Sequence, residues 1–320
     1  MERQDDLTLM KPRSYRSVLM AGFRLYNENF RHFFKASWLM ALLYALCCGV
    51  VGTISVIRLP EILLAFNLTE TITAASFLMI AKLFTTVLLL LMAFSLVAVA
   101  AMSLASGTIL SKLKEHKDTG AITQPTRWFS VSLHMMGRTL KGVFLTLLVV
   151  VIPLVLFIAL MAAADKVSPD FIVRHSMTVS AMLLLVTLIV AVLALPLMHV
   201  LMKYLMGSTS YRKTLKADYG TGMRHWGALF LVFFVSLLLV QLVALVIMTP
   251  AHILNFANQQ AYTGQLIGDP LGMPSYMTAL TFATFALCAF IQFYVCQVTL
   301  LHNYYIYGSI ESKEEEQKKQ

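Results

Sequence analysis

The sequence predicts an all-α, polytopic helical membrane protein: six transmembrane helices, arranged as three repeats of an interfacial amphipathic helix plus a helical hairpin. Three observations predict it. Of 320 residues, 58% are hydrophobic and only 13% charged, about half the ~25% charged fraction of a soluble domain. The apolar residues come in blocks longer than the ~20 needed to cross the hydrocarbon of a bilayer. Lysine and arginine concentrate between alternate blocks: residues 1–37, 111–142, 203–226 and 308–320 hold 21 of the 25, the others being Arg58, Lys82, Lys166 and Arg174. The positive-inside rule assigns those four segments, and both termini, to the cytoplasm. The net charge of +9 therefore reads as topology rather than as a nucleic-acid surface.

Taken in order, residues 1–13 are polar and expected to be loose, with no cleavable signal peptide in view. From Ser14 to Lys35 a helical period sets Leu19, Phe23, Tyr26, Phe30 and Phe33 against Arg24, Glu28, Arg31 and Lys35, the pattern of a helix lying in the headgroup plane. Span 1 follows at about 36–57 and is stopped by Arg58-Leu59-Pro60-Glu61. Residues 58–82 read as an outer loop holding a short interfacial helix. Span 2 covers about 83–110, with Ala93, Ala100, Ser103 and Gly107 as a small-residue stripe for close helix approach. A second surface helix, 126–141, sets Phe129, Leu133, Met136 and Leu140 against Arg127, Ser130, His134, Arg138 and Lys141.

Span 3 covers about 142–164 with a kink expected at Pro153, and Asp165 to Arg174 form an outer turn. Span 4 covers about 177–206, with Pro196 inside and Lys203 placed to snorkel. The third surface segment, 211–226, carries Arg212, Lys213, Lys216 and Arg224; Gly220 and Gly222 make it the weakest helix former of the three. Span 5 covers about 227–248. The outer loop 250–276 has no Lys or Arg and reads as a series of turns around Gly264, Gly268, Asp269-Pro270, Gly272 and Pro274. Span 6 covers about 277–307, and residues 310–320 form a charged, solvated tail.

The membrane domain thus runs over 14–309, in repeats of about 14–110, 126–208 and 211–309. Arg31, Arg138 and Arg224 open the outgoing spans at spacings of 107 and 86, and Gly107, Gly207 and Gly308 close the returning ones at 100 and 101. The returning spans exceed the ~20 residues that suffice for a bilayer, so they tilt or project into the cytoplasm.

Chemistry is sparse. The six spans contain no Asp or Glu, and an intramembrane ionisable residue is the usual mark of a site. The eight histidines show no HxxxH, HExxH or HxH spacing; His199 and His302, near the inner ends of spans 4 and 6, could meet. The four cysteines, Cys47, Cys48, Cys288 and Cys296, lie in apolar runs without a CxxC pair, as small buried hydrophobes. No nucleophile elbow, phosphate loop or dinucleotide fingerprint is present, so neither catalytic residue nor cofactor is assigned. Arg24, Arg31, Arg127, Arg138, Arg212 and Arg224 are the candidates for lipid headgroups. Gln241, Gln292, Gln297 and Asn303 are the candidates for a polar path, or for hydrogen bonds between helices.

The run Gly22-Phe23-Arg24-Leu25-Tyr26-Asn27-Glu28-Asn29-Phe30, opening into an apolar span, and the ending Asn303-Tyr304-Tyr305-Ile306-Tyr307-Gly308-Ser309-Ile310-Glu311 resemble a family of bacterial six-span proteins. These look like the membrane domain attached to some glycerophosphodiester phosphodiesterases. The resemblance implies a bacterial cytoplasmic-membrane protein. It carries over no activity, since this chain lacks the soluble catalytic domain. The expected function is a scaffold, accessory or membrane-organising protein, with the bilayer, its anionic headgroups and a membrane-protein partner as contacts and no nucleic acid. A permease for a neutral or lipid-like molecule is the alternative, and a membrane-embedded enzyme ranks third.

Overall fold

The computed structural model describes residues 8–58, 60, 62, 74–122, 133–167, 175–268 and 274–320. Arg127 and the first half of the expected second surface helix lie outside the described residues. So do most of the outer loop expected at 58–82 (residues 59, 61 and 63–73), the turn from Ser168 to Arg174, and Asp269-Pro270 with Gly272.

The described residues are overwhelmingly helical and include no strand. They form α1 (Tyr15–Thr53) with a π-helical turn (Ile54–Arg58), α2 (Ala74–Thr119), α3 (Leu133–Val167), α4 (Ser176–Met206), α5 (Tyr211–Arg224), α6 (Trp226–Leu266) and α7 (Met277–Lys319). Six of them, all but α5, are long and apolar enough to cross a membrane. The chain is an all-α, multi-pass membrane protein.

Several elements run further than local signals indicate. The first amphipathic segment and span 1 are one uninterrupted helix, because residues 23–48 contain neither Gly nor Pro; the Ser14 side chain caps its first turn by accepting from the Ser17 N–H. From Leu133 on, the second segment likewise enters span 3 without a break in α3. Only the third, α5, is a separate helix, ended at His225 before α6 begins. The stretch after Pro250, expected as turns, continues α6 to Leu266. A proline deletes one helical hydrogen bond, and a helix anchored on both sides tolerates that loss. The charged tail is helical, the last part of α7, and its residues 315–320 are exposed. Of the three glycines expected to close the returning spans, only Gly207 follows a helix end, while α2 and α7 continue past Gly107 and Gly308.

Helix α7 is the axis of the assembly. It packs most extensively on α1, then on α6, and touches α4 and α2, while α2, α3 and α4 pack in chain order and α5 lies on α4. Burial changes along the bundle. On α2 most apolar side chains are exposed through Val99, Val87 and Ala98 excepted, and burial predominates from Ala101; on α4 most are exposed through Leu193 and burial predominates from Leu195. On α7 Thr281, Cys288 and Ala289 are already buried ahead of exposed Ile291, and burial predominates from Phe293. Leu110, Leu113, Leu205, Leu301, Tyr304, Tyr305 and Ile310 fill this end of the bundle, the end that carries the basic residues. The apolar residues beyond Ala101, Leu195 and Phe293 are therefore a protein core.

The N-terminal residues 8–13, expected to be loose, close this core. Leu9 is buried against Gly308, where an added Cβ would overlap the leucine side chain and carbonyl. The Arg13 backbone N–H donates to Ser309 Oγ at 2.9 Å, and its guanidinium lies 5.2 Å from the centre of the Tyr305 ring. Tyr26 donates to the Tyr294 carbonyl at 2.8 Å, and the His302 ring fills the space a side chain at position 22 would need.

Candidate functional site at the basic end of the bundle

The basic end is built around the C-terminus of α4. A helix leaves its last carbonyls without donors and carries partial negative charge there. Two cations from other helices supply both needs. Arg138 of α3 donates through Nε to the Tyr204 carbonyl at 3.0 Å, with Nη2 bonded to the same oxygen and to the Thr209 carbonyl at 2.9 Å. Its guanidinium also covers the Tyr204 ring, 4.2 Å from the centroid, a contact favoured by the ring quadrupole. Lys117 of α2 donates to the Met206 carbonyl at 3.2 Å.

An ionic cluster lies beside this cap. Lys203 Nζ is 2.8 Å from Asp218 Oδ1 and 2.9 Å from Glu311 Oε1, and His199 Nε2 is 3.3 Å from the same Glu311 oxygen. One turn further on α7, Glu314 Oε1 is 3.0 Å from Arg224 Nη1 and 3.1 Å from His225 Nε2. Glu311 and Glu314 therefore tie α7 to α4 and to the α5–α6 junction. The ring of basic residues and the acids of the last helix neutralise each other across the bundle, which lets α7 stay helical and docked. Further in, Tyr304 donates to the Leu113 carbonyl at 3.1 Å and lies 3.0 Å from His116 Nδ1.

The third fixture concerns Pro196. Lacking an N–H, it leaves the Val192 carbonyl of α4 without its helical donor. The indole N–H of Trp226 donates to that carbonyl at 3.0 Å, and the Tyr219 hydroxyl donates to the next one, of Leu193, also at 3.0 Å. Gly222 lets α5 approach: a Cβ there would meet the Pro196 carbonyl oxygen at 3.0 Å. At the other end of α5 the Tyr211 and Thr146 hydroxyls are 2.8 Å apart. Burial raises the Tyr211 phenol above its ordinary value while that hydrogen bond works against the rise, so the group remains a neutral phenol.

Of the residues picked from sequence, half-buried Arg138 is bound to the α4 carbonyls, and Arg224 stays exposed while pairing with Glu314. Arg24 forms an i,i+4 pair with Glu28 at 2.9 Å, and Arg31 and Arg212 are exposed. The polar-path candidates do not share one surface: Gln241 is exposed, Gln292 and Asn303 are half-buried, and Gln297 is buried with its Oε1 unpaired. His199 and His302 have separate partners. His302 Nδ1 is 2.6 Å from Ser236 Oγ, and its ring meets Phe23 edge-on at 4.8 Å. Ser236 and His302 have the spacing of a nucleophile and base, but both are 1% exposed, and Ser236 also donates to the Val232 carbonyl at 2.6 Å. A buried, donating hydroxyl without access for a reactant is a helix–helix contact, not an attacking group. Among the described residues no three His, Cys, Asp or Glu side chains are placed to share a metal ion.

Sequence reasoning missed Asp218, Glu311, Glu314, Trp226 and Tyr219. The acids could have been flagged as the complement of Lys203 and Arg224. Trp226 and Tyr219 could have been flagged as donors for the carbonyl that Pro196 had to orphan. Comparison of the chain with known protein families, with curated proteins and with solved structures finds no match.

Proposed function

We propose that this chain is a non-enzymatic scaffold or membrane-organising protein of the bacterial cytoplasmic membrane, with both termini in the cytoplasm. In this reading the exposed apolar band is the transmembrane part, and the buried basic end projects as a helical stem on the cytoplasmic side. The observation that carries it is the filled stem: Leu113, Leu205, Leu301, Tyr304 and Tyr305 are each 1% exposed or less, so that end of the bundle is packed like a protein interior. A permease needs a polar passage there, and Gln241 and Gln297 stand on opposite sides of the packing, one outside and one within. Arg31 and Arg212, exposed near the change in burial, suit anionic headgroups at about 1 kcal/mol each.

The threefold repeat and the kinship with the bacterial six-span family belong to the same proposal. The first of the two segments that carry the resemblance packs on the stretch of α7 just before the second, Gly22 against His302 and Tyr26 against Tyr294.

The test is reconstitution of the purified chain in vesicles of phosphatidylethanolamine and phosphatidylglycerol. Entrapped neutral solutes and labelled lipids should cross no faster than in protein-free vesicles, while phosphatidylglycerol should be enriched among lipids that co-purify. Protein-dependent flux of either probe would overturn the reading in favour of a permease.

A further inference from the structure

Between α3, α4 and α5, at the level where burial begins, lies a groove of about 530 Å³, within the ~300–1,000 Å³ range of small-molecule sites. Its walls are apolar, among them Val149 and Pro153 of α3 and Val190, Leu193 and Leu197 of α4, and its rim on α5 carries Lys216, Tyr219 and Gly220. From Val190 to Leu197 the groove follows roughly 10 Å of helix. It is a slot open to the apolar band at one end and edged by a cation at the other.

We infer that this groove takes one acyl chain of an anionic phospholipid, whose phosphate rests against Lys216. The inference deepens the reading above, since it needs the basic end to face an anionic leaflet. Charge selects the occupant. Asp218 is the single carboxylate of α5 and is held by Lys203 at 2.8 Å, while Arg224 is held by Glu314. Arg212, Lys213 and Lys216 remain exposed, and among the described residues none has a carboxylate partner. Lys216 is one turn from Arg212 and Lys213, so the three lie on one face of α5. A second groove, along α1, has Arg13 and Arg24 in its lining, but Arg24 is paired with Glu28 and Arg13 is buried, with its guanidinium bonded to the Thr8 carbonyl and set over the Tyr305 ring, so neither cation is presented as Lys216 is.

Gly220 gives the site its space and a means of closing it. A Cβ at this position would meet nothing within 4 Å, so a side chain added at this lining residue starts in open space. At Gly222, two residues on, the same change would strike Pro196.

The experiment is native mass spectrometry of the full chain in detergent, titrated in separate arms with phosphatidylglycerol, phosphatidylcholine and inorganic phosphate. Wild type should take up a first phosphatidylglycerol in preference to phosphatidylcholine and should take up no phosphate. Gly220→Trp should abolish that first binding step, and Gly220→Ala should retain it. Lys216→Gln should weaken it about five-fold, the factor one basic contact at an anionic surface supplies. Unchanged far-UV circular dichroism and melting would show the variants to be folded; if Gly220→Trp is not, Lys216→Gln decides alone. Equal binding by all folded variants, with the preference for phosphatidylglycerol intact, would overturn the groove and leave the scaffold reading standing. Equal uptake of both lipids by wild type would overturn both. Uptake of inorganic phosphate abolished by Lys216→Gln would replace the lipid with a soluble anion and overturn the inference.

Discussion

Replacing Trp226 with Phe tests the account of α4 directly. The substitution removes the indole N–H that satisfies the Val192 carbonyl but keeps a ring to stack on Phe230, now 5.2 Å away. An unpaired carbonyl costs about 1–3 kcal/mol when water cannot reach it. Trp226 is only half-buried, so the expected loss is at the low end, about 1 kcal/mol. The cause can be isolated by a second change. Pro196→Ala restores an N–H at position 196, and with it the helical donor for Val192. In that background Trp226→Phe should cost no more than a few tenths of a kcal/mol, giving a coupling of about 1 kcal/mol between two residues 30 apart in sequence. Unfolding of the four proteins in mixed dodecylmaltoside–SDS micelles, followed by far-UV circular dichroism, measures the cycle. Equal costs in both backgrounds would refute the idea that Trp226 serves the proline.

Topology predicts that single cysteines at Lys166 and Ser275, in a background without Cys47, Cys48, Cys288 and Cys296, react with an impermeant thiol reagent on intact cells, and that one at Lys318 does not. The reverse pattern would invert the orientation. Glu311→Gln removes the charge that faces Lys203 and His199. Lys203 is 31% exposed and keeps Asp218, so the cost is discounted from the several kcal/mol of a fully buried pair to about 1–2 kcal/mol. The same micelle titration reads it, and a change below a few tenths would mean that the cluster is solvated rather than structural.

The class of fold was legible because the requirement for long apolar blocks and one-sided basic loops is local and composition-driven. What burial the apolar residues enjoy was not. The run from Ala101 to Leu110 looks the same whether lipid or protein surrounds it, and only the tertiary packing of Tyr304 and Leu301 beside it decides for a protein core. The overlong returning spans were the trace of this in the sequence, since their extra turns had to go somewhere. Helix α5 shows the opposite failure. Two glycines marked it as weak, yet it is the one surface segment that stands as a separate helix; Gly222 is there for close approach to Pro196. The candidate site was legible by residue type and not by partner. Arg138 and Arg224 were picked as cations at a membrane surface, and nothing local reveals that one meets the carbonyls of Tyr204 and Thr209 and the other a glutamate 90 residues away.

The seam between Arg13 and Ser309 joins residues 296 apart, with a consequence for how the protein is made. Synthesis proceeds from the N-terminus at ~5–20 residues per second, so the first helix emerges roughly 15–60 s before the last one exists. Throughout that interval Leu9, Phe33 and the aromatic face of α1 lack the surface they finally cover. The newborn chain must therefore hold an unsealed helix at the membrane while five more are threaded in. Truncations near the C-terminus should then harm the beginning of the protein as much as its end, and quality-control proteases should recognise shortened chains by their first helix.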